Sequence, residues 1–220
     1  MKSRIFYSSL RNQLETRTKD FLNSQTALFT AGITGSPRAV GDVAQQLLES
    51  SFAAILGSLA TKYSSGFARR AMADLAFEDA DGFYYVVDVK THRTDASFNM
   101  PNLTSVDRLA RFYEDDKNYF AILLLSYHVG DEGIIFTNVR FIPIEFLGWD
   151  CLTIGALGWG QIQITNASRV TINPEYSRRS WMIEMCDALL QFYPREIAKI
   201  ESRISRFEDV RRFWLARPEP

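Results

Sequence analysis

Asp74, Asp88 and Lys90 are the residues whose types and spacing point most directly to chemistry. Alternate side chains of an extended strand share a face, so Asp88 and Lys90 project together while Val87 and Val89 turn to the opposite layer. The run Glu78-Asp79-Ala80-Asp81-Gly82 has the composition of a turn. A hairpin closing near Asp81 sets Asp74 almost opposite Asp88, and residues opposed across an antiparallel pair point to the same face. Two carboxylates this close repel unless a cation sits between them. Magnesium suits the set: it prefers hard oxygen ligands and keeps several waters, so Asp74, Asp88 and the Val89 carbonyl would hold Mg²⁺ with room for a phosphate oxygen. Such a centre suits phosphodiester hydrolysis, with Lys90 positioning or helping to deprotonate the attacking water.

An Asp-x-Lys pair by itself is common, and a surface ion pair contributes little. Here the pair closes a strongly apolar strand, Phe83-Tyr84-Tyr85-Val86-Val87, and a second aspartate lies across the turn. A calcium loop around Asp79 and Asp81 lacks an oxygen side chain at Phe77 and has Asp88 where a glutamate should close it. His92 has no cysteine or second histidine at ligand spacing, which argues against zinc. The glycines of Gly155–Gly160 have no Lys-Ser/Thr tail, so they give no support to ATP binding.

Elements around these residues follow from periodicity. Helical spacing runs from about Ser3 to Leu28, breaks at Gly32, Gly35 and Pro37, and resumes with Val40, Val43, Leu47 and Leu48. After the hairpin come a loop with Asn99, Pro101 and Asn102, a helix with Leu109 and Phe112, and a buried strand over Tyr119–Tyr127. Further strands are expected at Gly133–Phe141 and Gln161–Thr165, then a helical tail from Arg179 interrupted at Pro194. The pattern is α/β or α+β: a central mixed β-sheet flanked by helices. With 220 residues, 46% hydrophobic, the chain suits one domain spanning 1–220.

Lys and Arg total 25 against 26 acids, a net charge of -1, so a nucleic-acid partner would require the positive charge to be concentrated on one face. Arg69, Arg70 and Lys62, and the tail residues Arg178, Arg179, Arg203, Arg206, Arg211 and Arg212, each fit either a phosphate contact or a solvated face. Cys151 and Cys186 lack a CxxC spacing, and no apolar signal core follows Met1. A soluble cytoplasmic protein with no membrane partner is expected.

Several separate motifs carry a family resemblance. Ala73-Asp74 followed by Asp88-Val89-Lys90-Thr91, then Pro101-Asn102 leading to Thr104-Ser105, then Ala156-Leu157-Gly158-Trp159-Gly160-Gln161-Ile162-Gln163-Ile164 resemble the HincII/HpaI-like group of type II restriction endonucleases. That group belongs to the EcoRV-like branch of the PD-(D/E)xK superfamily, and the match covers roughly the last two-thirds of the chain. The resemblance implies a restriction-endonuclease-like core in a homodimer that cuts both strands of a short palindromic site in double-stranded DNA, leaving blunt ends. Asp74 and Asp88 would carry the metal and Lys90 would complete the centre.

In this family the loop before the PN motif enters the minor-groove side of the site; here Phe98, Asn99 and Met100 occupy it. Asn99 replaces a glutamine, and Phe98 and Met100 have the character of apolar wedges. Asn102 would touch DNA directly, and the backbone near Ala156 and Gly158 would lie against the major groove. Gln45 matches an acidic position on the family's first helix and is an accessory candidate. A cognate DNA methyltransferase is implied by the family alone. Two other readings share part of this pattern: a repair or junction-resolving nuclease of the same superfamily, and a catalytically silent DNA-binding protein.

Overall fold

A computed structural model describes residues 2–29, 31–64, 73–96, 99–131 and 133–218. Their contacts divide the chain into two compact units, Met1–Ser177 and Arg178–Pro220.

The first unit is built on a five-stranded mixed sheet. Its strands are β1 (Lys62–Ser64), β2 (Leu75–Glu78), β3 (Tyr84–Arg93), β5 (Asn118–Gly130) and β6 (Gly133–Pro143), in the order β1-β2-β3-β5-β6. β4 (Asn102–Ser105) belongs to a second sheet of three strands, ordered β4-β8-β7, with β7 at Leu152–Gly155 and β8 at Gln161–Ile164. All pairs are antiparallel except β3 with β5, which run parallel from Tyr84↔Asn118 to Arg93↔Tyr127. A parallel pair needs a long crossover, and the chain supplies one through β4 and α4 (Val106–Phe112). β5 is apolar on both faces, Tyr119 to Leu125 being buried throughout, as a central strand covered on both sides must be.

Two of the remaining helices cover one face of this sheet. α1 (Leu10–Ser24) faces β6, and its buried Glu15 accepts a hydrogen bond from the Phe141 amide at 2.8 Å. α2 is the single turn Ala31–Thr34. α3 (Pro37–Leu56) starts with Pro37 behind Ser36, whose hydroxyl accepts from the Ala39 amide. It buries Val40, Ala44, Leu48 and Phe52, one helical turn apart. Phe52 meets Phe77 edge-on, and Phe77 stacks on Tyr85 with ring centroids 4.4 Å apart. Nearer its start, a Cβ at Gly41 would lie 3.1 Å from Thr91 Oγ1, so a residue without a side chain lets α3 approach β3. Tyr85, Val87, Val89 and Thr91 therefore face α3, and Asp88, Lys90 and His92 emerge on the other face.

The second unit is α5 (Arg178–Leu215), which runs unbroken through Pro194 where the sequence suggested an interruption. A proline removes one ladder bond, and on an exposed stretch such as 193–195 water can take the freed carbonyl. Strands β1, β4 and β7 are additional to the sequence reading; each has only three or four residues. The expected long first helix is shorter than its periodic pattern, beginning at Leu10 after a turn-rich lead. Among the described residues no helix is long and apolar enough to cross a membrane.

Candidate active site

The hairpin that holds the acidic pair is fixed by its turn. Asp79 is buried, and its carboxylate accepts from the amides of Asp81 and Phe83 at 2.9 and 3.0 Å and from the Tyr85 hydroxyl at 2.7 Å. Gly82 sits at φ 75°, a conformation that favours glycine. The acids of this segment thus build a turn. From it the register runs Glu78↔Tyr84 to Leu75↔Val87, and just beyond it Asp74 lies near enough for its charge to act on Asp88.

At that end the ladder gives way to side-chain contacts. The Asp74 amide donates to the Val87 carbonyl at 3.0 Å, and Asp74 Oδ2 accepts from the Val89 amide at 2.7 Å. Since a strand residue directs its N–H and C=O to the same edge, the Val89 carbonyl lies on the edge that meets Asp74. Lys90 Nζ donates to Asp88 Oδ1 at 2.7 Å. Asp88 is only 5% exposed, and among the described residues its second oxygen, Oδ2, has no hydrogen-bond partner. Burial drives the Asp88 carboxyl up to about 7, Lys90 draws it down by charge and hydrogen bond, and the Asp74 charge adds a smaller upward push.

A buried carboxylate oxygen without a partner is costly, and a cation there would offset the cost. Asp74, Asp88 and the Val89 carbonyl therefore fit a hard divalent ion such as Mg²⁺, with Lys90 alongside. Among the described residues no group of three or more His, Cys, Asp or Glu side chains is placed to hold an ion.

The other sequence candidates are spread over three places. Gln45 lies on α3, one turn after Gly41, and its amide donates to Glu49 at 3.0 Å. Asn99 turns its side chain back to β3, donating to the Thr91 carbonyl at 3.3 Å, while its own carbonyl accepts from the Ala167 amide at 2.9 Å. Phe98, Arg69 and Arg70 lie outside the described residues. Asn102 opens β4, is exposed, and accepts a short hydrogen bond from Gln163 Nε2.

That last contact joins two motifs that are far apart in sequence, because β4 and β8 are paired with Asn102 opposite Gln163. Ala156 and Gly158 occupy the exposed turn between β7 and β8, with Gly158 at φ 57°. Leu157 and Trp159 project there, largely exposed, beside Arg108. Gly155 matters for its size: a Cβ there would come within 2.7 Å of Gln163 Oε1, displacing the side chain that holds Asn102.

A cleft of about 510 Å³, not expected from the sequence, lies beyond Lys90 on the strand that carries it. Register places Lys90 beside Leu124 and Leu124 beside Arg140, so Arg140 shares the face of Asp88 and Lys90. His92, Ser126, Asn138 and Ser168 also line it, and Ser168 Oγ lies 3.3 Å from His92 Nε2. Burial lowers the His92 pKa, which favours the neutral ring. Burial raises the Glu15 carboxyl, and the charge of Arg140 also reaches it and draws it down. The strand-level signal for this face was present in the alternation His92, Lys90, Asp88, but the partners on β6 depend on sheet order.

No family model matches the chain, and a comparison with curated proteins finds no match.

Proposed function

We propose that the chain is a Mg²⁺-dependent type II restriction endonuclease with a restriction-endonuclease-like core, cutting both strands of a short DNA site as a homodimer. The observation that carries the reading is the buried, unpartnered Asp88 Oδ2, set across a hairpin from Asp74 with Lys90 bound to the other oxygen of the same carboxylate. The unpartnered oxygen and the nearby charge of Asp74, which adds to the upward push of burial on Asp88, support an ion here over a salt bridge serving only the fold.

In this reading Asp74, Asp88 and the Val89 carbonyl hold the ion. When bound, Mg²⁺ supplies neutralisation of phosphate charge and a lowered pKa for a coordinated water. Lys90, 23% exposed at its side chain, is near enough to the centre to orient the attacking water and to balance charge on the phosphate. The hydrogen bond from the Val89 amide fixes Asp74 so that it need not reorganise as charge develops. Asn102 with Gln163, and the exposed turn at Ala156 and Gly158, serve as the DNA-reading surface, and Arg140 beyond Lys90 contributes positive charge on the side of the cleft.

The test is digestion of supercoiled plasmids of known sequence with and without Mg²⁺. Discrete fragments that require the ion support the reading. A smear would make the protein a nuclease without site preference, and intact DNA at protein concentrations that bind it would leave a silent binding protein.

A further inference from the structure

We propose that α5 pairs with α5 of a second copy of this chain as an antiparallel coiled coil. Leu190, Tyr193, Ile197, Ile200, Ile204 and Phe207 follow one another at alternating steps of three and four residues, which is the heptad repeat. The same steps extend back to Cys186 and Ile183 and forward through Arg211 to Trp214. These positions are open: Leu190 is 71% exposed, Phe207 70% and Trp214 61%, and the isoleucines are each about half exposed. A helix with a continuous apolar seam left in water is unstable by itself, whereas the same seam closed on a partner is the usual solution. Large side chains carry roughly 150–250 Å² each, so this seam presents on the order of 800 Å² per copy, the size at which specific dimers become stable.

The sequence fits a second copy, and the antiparallel direction, through complementarity about a point between Ala198 and Lys199. Turning the helix about that point sets Ile197 on Ile200 of the second copy, Ile204 on Tyr193, and Leu190 on Phe207. Toward the ends Ile183 meets Trp214, and Arg211 meets the small Cys186. On one flank Glu196 then faces Arg203 of the second copy, twice by symmetry, while on the other Asp187 faces Glu208 twice and Glu201 approaches its own mate, so the flank charges do not set the direction and the placing of Arg211 does. A parallel pair would bury the two Arg211 side chains against each other. It would also set Glu196 against Glu201 twice, for two Arg203–Glu208 contacts in return. The seam lies in the second compact unit, so it stands or falls apart from the chemistry proposed for Asp74, Asp88 and Lys90.

The experiment is sedimentation of the full chain over a hundredfold range of micromolar concentration. A dimer is expected for the native sequence, and a monomer for Ile197→Glu/Ile204→Glu, since both residues are already exposed and not needed by the core. Direction is read from charge reversal: Glu196→Arg should weaken the dimer several-fold, and Glu196→Arg/Arg203→Glu should restore it. A monomer at every concentration, or a dimer that the isoleucine substitutions leave intact, overturns the seam. A dimer tightened by Glu196→Arg alone overturns the antiparallel arrangement.

Discussion

Asp88→Asn should change how stability depends on pH, and the size of the change follows from the burial of Asp88. In the unfolded chain an aspartate titrates near ~3.9, whereas in the fold Asp88 titrates at about 7 because burial disfavours its charge. A raised acid contributes stability that is fully present below the unfolded value and is lost as pH climbs toward the folded one. The window therefore runs from about pH 4 to about pH 7. Across that whole window the loss amounts to about 4 kcal/mol, of which about 2–3 kcal/mol falls between pH 5 and pH 8. Asparagine keeps the shape and has no charge to desolvate, so the variant should lack this loss. The assay is urea unfolding of both proteins at pH 5 and pH 8 with a chelator present; the difference of differences cancels the titrating groups that do not interact with Asp88. Mg²⁺ added at pH 8 should then stabilise the native protein and leave Asp88→Asn unmoved, because binding to the folded state alone adds stability by mass action. Equal loss of stability in the two proteins between pH 5 and pH 8 would mean that Asp88 is not raised by burial in the fold.

Asp79→Ala should destabilise the fold by about 2–4 kcal/mol, since two amides and a buried hydroxyl lose a charged acceptor; thermal or denaturant unfolding reads it, and a loss under about 1 kcal/mol would deny that Asp79 organises the turn. Asn102→Ala should lower discrimination between a cognate and a scrambled duplex by about 1–3 kcal/mol, measured by binding with Ca²⁺ in place of Mg²⁺, and an unchanged ratio would make Asn102 a phosphate contact. Gly155→Ala should shift the same ratio in the same direction by pushing Gln163 off Asn102, with little effect on unfolding; no shift would show that the Gln163 contact does not orient Asn102.

The hairpin was legible because it is local. Turn composition, the apolar strand and the period of two fix which side chains share a face, and the hairpin forms with Leu75 opposite Val87 and Asp74 just beyond the paired stretch. The α/β class and the mixed central sheet were legible for the same reason, the long strands and helices each carrying their own period. What escaped depends on contacts between distant segments. β1, β4 and β7 are too short to show a period, and β4 exists because β8 pairs with it. The cleft beyond Lys90 needs β6 beside β5, an order that neither strand encodes alone. Pro194 concealed the heptads of α5, because a proline rule applied locally divides a repeat that runs continuously on both sides of it. The orphaned Asp88 Oδ2 required atomic positions.

Whether Asp88 holds an ion in a DNA-cutting centre is decided by comparing the native protein with two variants. Native protein and the Asp88→Ala and Lys90→Ala variants are incubated with the same supercoiled DNA and Mg²⁺, with DNA binding checked in Ca²⁺ and folding checked by circular dichroism. Discrete fragments are expected from the native protein, and a loss of cutting of roughly a hundredfold or more, on the order of the effect of removing one catalytic group, in both folded, DNA-binding variants. Cutting by Asp88→Ala at the native rate would contradict that role, as would intact DNA with the native protein bound to it.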